Sequence, residues 1–290
     1  MSSEEEVSAI LSAETHVEID KLRVAAKHGI PPKLRGEAWK YLLSVSRPDK
    51  SEEMSTRRRD AEEYAKLDKA NVGLLRQVKA EAKRRTARGG HGPSRALLGS
   101  PQTAKRLENI IAAFLNHNAH LEYDPGMVHL LCPFVYALDD EADAFHCFAR
   151  LMKHLEPHFN VAGARHDLAH FVALFRELLP ELHEHFEAEE LEYNEWALPW
   201  LQFLLSRELP LECVARLWDS YLAAENAEAL FRFHEFACLA VLDRAAEELM
   251  ECDHSEIKHF LRNLPQMDME GVLARAHHLR ATAEASTTHF

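Results

Sequence analysis

Apolar residues recur along this chain at helical intervals. Ile110, Ile111, Phe114 and Leu115 stand at i, i+1, i+4 and i+5, and Leu168, Phe171, Val172, Phe175, Leu178 and Leu179 form a second stripe. Phe231, Phe236, Leu239 and Leu242 make a third. Such spacing gathers apolar side chains on one face of a helix, where they can be buried together. Alternating Val, Ile and Thr segments are missing, as are Asn-Gly hairpin turns, so nothing in the pattern asks for strands. The pattern predicts an all-α protein.

Punctuation agrees with it. The chain has only 10 glycines in 290 residues, which suits long helices joined by short turns. Its prolines, among them Pro31-Pro32, Pro101, Pro125, Pro157, Pro180, Pro199 and Pro210, fall mostly where helices are expected to start or stop. One stretch departs from the pattern. Arg84 to Arg95 is polar, and Gly89-Gly-His-Gly-Pro93 crowds its breakers together, so the whole stretch is expected to be a loop. Its single Arg-Gly-Gly, with no repetition and no aromatic residues, is a poor RNA-binding signal.

Composition narrows the classes. Apolar residues make up 47% of the chain, enough for a globular core. No apolar run approaches the roughly 20 residues a membrane span needs. The N-terminus is acidic and lacks an apolar signal-peptide stretch. Five dispersed cysteines with no C-x-x-C pair read as reduced core thiols of a cytosolic protein. The net charge of −13 makes a poor general binder of nucleic acid or anionic membrane. The charge is uneven: residues 1–20 hold six acids and no Lys or Arg, and residues 181–195 hold seven acids and none. Residues 76–95 reverse the sign, with seven Lys or Arg against Glu81 alone.

Tyr123-Asp124-Pro125-Gly126-Met127 is the most informative stretch, and it does not stand alone. His28-Gly-Ile-Pro-Pro-Lys-Leu-Arg-Gly-Glu-Ala-Trp-Lys-Tyr-Leu-Leu43 precedes it, and Gln102 to Phe114 and Pro133 to Phe148 flank it. Trp196 to Leu222 closes the series, with Pro210-Leu-Glu-Cys-Val-Ala-Arg-Leu-Trp-Asp219 inside it. Together these blocks resemble the TBC domain, the GTPase-activating domain that works on Rab-type small GTPases. The likeness runs from about residue 28 to about residue 245. It implies a two-lobed helical fold: an acidic N-terminal segment at 1–20, an N-terminal lobe at 21–150 and a C-terminal lobe at 151–285.

The same resemblance sets the chemistry to look for. A small GTPase hydrolyses GTP slowly, and an arginine supplied in trans is worth roughly 10³–10⁵ in rate. The family writes its arginine motif I-x-x-D-x-x-R-T. Val78, Glu81 and Arg84 keep that spacing, whereas Arg85-Thr86 restores the final pair, so Arg84 and Arg85 are both candidates. The family's second motif, Y-x-Q-G-M, supplies a glutamine that orients the attacking water. Here the glutamine position is Pro125, whose side chain neither donates nor accepts a hydrogen bond. Asp124 is a poor substitute because its charge would face a triphosphate. Asp followed by Pro is also ordinary helix-start chemistry. By resemblance, Tyr123, Asp124, Gly126 and Met127 contact the GTPase.

The sequence thus points to a TBC-like protein that binds Rab-type GTPases, with activating power weak, unconventional or absent. One alternative is an active GTPase activator using Arg84 or Arg85 with the GTPase's own glutamine. Another is a scaffold with other partners. GTP and magnesium belong to the partner, and the chain needs no cofactor, metal or nucleic acid of its own. Its expected place is the cytoplasm, peripheral to endomembranes or cilia. His166-Asp-Leu-Ala-His170 has the spacing of a zinc-hydrolase pair, but with Asp for Glu and no obvious third ligand it reads as the polar side of a helix.

Overall fold

A computed structural model describes residues 3–88 and 99–287. Among them it is helical throughout, with one isolated antiparallel bridge between His16 and Asp49. In chain order the helices are α1 (Ser3–Leu11), α2 (Ile19–Lys27), α3 (Pro32–Leu42), α4 (Glu53–Lys66), α5 (Val72–Arg88), α6 (Pro101–His117), α7 (Gly126–Ala137) and α8 (Glu141–Phe159). Then follow α9 (Val161–Leu178), α10 (Pro180–Ala188), α11 (Tyr193–Gln202), α12 (Leu211–Leu222), α13 (Ala227–Arg244), α14 (Ala246–Leu249), α15 (His254–Arg262) and α16 (Met269–Thr287). Two compact units emerge: Met1–His154 with Trp218–Ala224, and Leu155–Leu217 with Glu225–Phe290.

Local rules explain most of the boundaries. Gly29 adopts φ 96°, a conformation open to glycine, and so turns the chain out of α2. Pro31 then caps α3 and Pro32 occupies its first turn. Ser100 starts α6 by accepting from the Thr103 amide at 3.0 Å. Asp253 and Glu256 form a reciprocal capping box on α15. The expected loop from Arg84 is corrected in part, because α5 continues through Arg88. Arg, Thr and Ala do not break a helix, and the first glycine comes only at position 89. Residues 89–98 lie outside the described residues.

The first unit is built around a buried ion pair. Asp219 accepts from Arg35 Nε at 2.9 Å and Nη2 at 3.0 Å, from Trp39 Nε1 at 2.9 Å and from the Ile30 amide at 2.9 Å. Burial pushes the Asp219 carboxyl towards protonation, and the guanidinium and the two N–H donors oppose it. Trp39, Phe134 and Trp218 stack their edges and faces around this point, with ring centroids 5.5–6.2 Å apart. Gly36 of α3 lies so close to α7 that a Cβ there would sit 2.2 Å from the Ala137 carbonyl oxygen. The acidic N-terminal segment contributes α1, whose Val7 and Leu11 are buried.

The second unit is organised by rings. Phe171, Phe175, Phe186, Trp196 and Trp200 form a chain of edge-to-face contacts linking α9, α10 and α11. Behind it α13 packs along α16, and His234 meets the Trp200 carbonyl at 2.9 Å. All five cysteines are free and four are buried; burial pushes the Cys147 and Cys238 thiols up.

Candidate functional site

Helix α5 presents Leu74, Val78, Glu81 and Ala82 to the core, residues spaced at three and four along one face. Glu81 is the carboxylate on that apolar face, so it needs partners, and it has two. Its Oε1 lies 2.8 Å from His129 Nε2 and its Oε2 lies 2.7 Å from Arg84 Nη1. The hydrogen bond from His129, aided by Arg84, outweighs burial and holds the Glu81 carboxyl down at about 2, so the side chain stays ionised. His129 is 1% exposed, while the Arg84 side chain is 65% exposed, so its guanidinium reaches solvent from a buried anchor.

His129 belongs to α7, which begins where Tyr123-Asp-Pro-Gly-Met ends. Asp124 Oδ1 accepts from the Gly126 amide at 2.6 Å and the Asp124 carbonyl accepts from Met127, a tight turn that launches the helix. Pro125 is the N-cap residue, with φ −54° and ψ −27°, and it is exposed. Asp124 is exposed too, whereas Gly126 and Met127 are buried in the start of α7. Tyr123 is half-buried and its hydroxyl has no hydrogen-bond partner among the described residues. Burial raises that phenol to about 12, helped by Glu81 and Asp124 and opposed by Arg84, so the motif and the arginine helix share one electrostatic environment. At its other end α7 is capped by Arg106, whose Nη2 donates to the Leu138 carbonyl at 2.8 Å.

The family model for the Rab-GTPase-TBC domain matches residues 32–250. The chain belongs to that family. It is 26% identical over 289 residues to the GTPase-activating protein gyp1 of Schizosaccharomyces pombe, covering 87% of this chain and 55% of that one. It is 24% identical over 321 residues to TBC1 domain family member 22A of Mus musculus, covering 97% and 60% respectively. The chain therefore spans little more than half the length of these curated relatives. In fold it matches the crystal structure of the Ypt/Rab-GAP domain of Gyp1p, with a TM-score of 0.80, 23% identity and coverage of 98% of this chain and all of that one. The TBC domain of a Chlamydomonas flagellar RabGAP matches with a TM-score of 0.62 at 24% identity.

Within this TBC domain, Arg84 is joined to the helix that follows the second motif, through Glu81 and His129. Arg85 lies on α5 by its backbone, and its side chain is outside the described residues. In the sequence Glu81 shows as the acidic position of the arginine motif and as the one acid among residues 76–95, whereas motif spacing does not reach His129. Its one signal is a lone imidazole inside the apolar run Met127–Val135. Elsewhere, His170 pairs with Glu235 at 2.7 Å and Asp167 with His158 at 2.6 Å. Among the described residues no three His, Cys, Asp or Glu side chains are grouped to hold a metal ion. No helix among them is long and apolar enough to cross a membrane.

Proposed function

We propose that this TBC domain binds Rab-type small GTPases in their GTP-bound form and accelerates hydrolysis weakly, with Arg84 as its only catalytic contribution. The observation carrying this reading is the Arg84–Glu81–His129 chain of contacts, which anchors an exposed guanidinium beside the Tyr123–Met127 turn. In this reading Tyr123, Asp124 and Pro125 form the corner that meets the GTPase, while the buried Gly126 and Met127 hold that corner in place. Arg84 offers the remaining donors of its planar fork to charge developing on the γ-phosphate. GTP and magnesium are the partner's.

Pro125 sets the limit. Its side chain offers the attacking water no polar group, so water orientation falls to the GTPase's own glutamine. The acceleration should then stay below the roughly 10³–10⁵ range of a complete arginine-dependent activator. The match to the Rab-GTPase-TBC domain model, with a relative named for GTPase activation, supports Rab-type partners.

The test is single-turnover GTP hydrolysis by a panel of Rab proteins, with parallel binding to GTP-loaded and GDP-loaded forms. The expected result is GTP-selective binding with modest acceleration that Arg84→Ala abolishes and Arg85→Ala does not. Replacing the partner's catalytic glutamine with leucine should remove the acceleration as well. Full-strength activation that survives Arg84→Ala would overturn the assignment. Failure to bind any GTPase in either state would favour a scaffold with other partners.

A further inference from the structure

We propose that His129 is a positioning residue for Arg84, acting through Glu81. The inference rests on the reading that Arg84 meets the nucleotide of a bound GTPase, and it adds a residue whose contribution neither motif spacing nor composition reveals.

Arg84 sits one turn from the end of α5, and its side chain is 65% exposed, so packing does little to fix it. Among the described residues its hydrogen-bond partner is Glu81 Oε2. The direction in which Arg84 points therefore follows the plane of the Glu81 carboxylate. That plane is set by a torsion between tetrahedral and planar carbons, which has a broad, roughly two-fold preference and no sharp minimum of its own. Something else must fix it, and His129 Nε2 does so by holding Oε1 at 2.8 Å from the opposite side. The imidazole is 1% exposed and rooted in α7, two residues beyond Met127. An ionised carboxylate can only accept, so His129 donates from Nε2.

The consequence is a rigid relay between the two segments that the family uses for catalysis. The start of α7 and the guanidinium of Arg84 are kept in register by one shared carboxylate. With the histidine's donor gone, one carboxylate oxygen would be left buried and unpaired, and Glu81 would rotate to seek another donor. Arg84 would turn with it. An error of about 1 Å at a catalytic group can reduce a rate about a hundredfold.

The test compares His129→Phe, which removes the donor, with His129→Gln, whose amide nitrogen reaches a similar position. The first readout needs no partner: the nitrogen-15 relaxation order parameter of the Arg84 Nε–H group, assigned by its loss in Arg84→Lys. The second is affinity for a Rab protein carrying GDP and aluminium fluoride, compared with the same protein carrying a non-hydrolysable GTP analogue. Wild type and His129→Gln should show a restrained Arg84 and tight binding of the fluoride complex. His129→Phe should show a mobile Arg84 and about tenfold weaker binding of the fluoride complex, with analogue binding unchanged. If His129→Phe does not fold, His129→Asn, polar but too short to reach Glu81, should show the same losses. An Arg84 as restrained in these variants as in wild type overturns the proposal, and so does equal weakening of both nucleotide states in a folded variant. If wild type binds neither state, the GTPase reading has failed, and the order parameter alone still decides whether His129 governs Arg84.

Discussion

Arg35 and Asp219, 184 residues apart in sequence, form a bidentate ion pair with the aspartate side chain fully buried. Each is also held by the backbone of Ile30, whose N–H donates to Asp219 and whose carbonyl accepts from Arg35 Nη2 at 2.8 Å. Removing one member of such a pair strands the other charge in the core, which destabilises proteins by roughly 3–5 kcal/mol. Asp219→Ala should therefore lower the unfolding free energy by about that much, read as a lower midpoint in denaturant at unchanged slope. Arg35→Met with Asp219→Leu together should recover much of the loss. A single variant as stable as wild type would show that the pair is not held as described.

Gly36 is required for a different reason. Its backbone lies against the end of α7, where an added Cβ would meet the Ala137 carbonyl oxygen at 2.2 Å and Leu138 Cδ2 at 2.8 Å. Both neighbours are fixed, one by the backbone and the other by core packing. Gly36→Ala should therefore destabilise by about 1–3 kcal/mol, although alanine is the better helix former at an open site. A thermal scan showing a gain in stability would refute this close approach.

His234 predicts a pH dependence. It is fully buried, and burial lowers its folded-state pKa from 6.5 to about 4. Between those values the unfolded chain binds a proton that the folded chain refuses. The stabilising contribution is thus complete above pH 6.5 and disappears as pH falls towards 4, a loss of about 3 kcal/mol. His234→Gln should flatten the stability profile across that window. An equally steep profile in the variant would move the responsibility to other groups.

Pro125→Gln tests the water-orienting position directly. The Asp124 turn that starts α7 uses the Asp124 side chain and the amides of Gly126 and Met127, so glutamine need not disturb it. With Arg84 already held, the substitution should raise GTP hydrolysis at least about tenfold, the equivalent of roughly 1.4 kcal/mol. The gain should vanish when Arg84→Ala is added. No gain, with GTPase binding preserved, would mean that the corner and the arginine do not face one nucleotide.

The helical architecture was legible because apolar stripes such as Ile110–Leu115 are a local property, and each helix face is specified by its own residues. The family was legible because its motifs are spaced strings. What lay beyond reading were pairings set by the fold. Nothing near Arg35 announces Asp219, and nothing near Glu81 announces His129; both partners are buried polar groups whose need for each other arises only once neighbours have excluded water. The stretch from Arg84 to Arg88 looks like loop in the sequence because its charge runs straight into the following glycines. Helix propensity decides residue by residue, and the glycines begin only at 89.

The inclusion of Trp218–Ala224 in the first compact unit also sets an order of events during synthesis. A ribosome releases residues 1–154 long before it delivers Trp218 and Asp219, so the early chain waits with Arg35 and Trp39 lacking their counterpart. The intervening 63 residues, Leu155–Leu217, belong to the other unit, which itself needs the stretch from Glu225 onwards. Neither half can finish alone from the N-terminus, and a chain cut short before residue 219 would expose an unfinished core to chaperones and proteases.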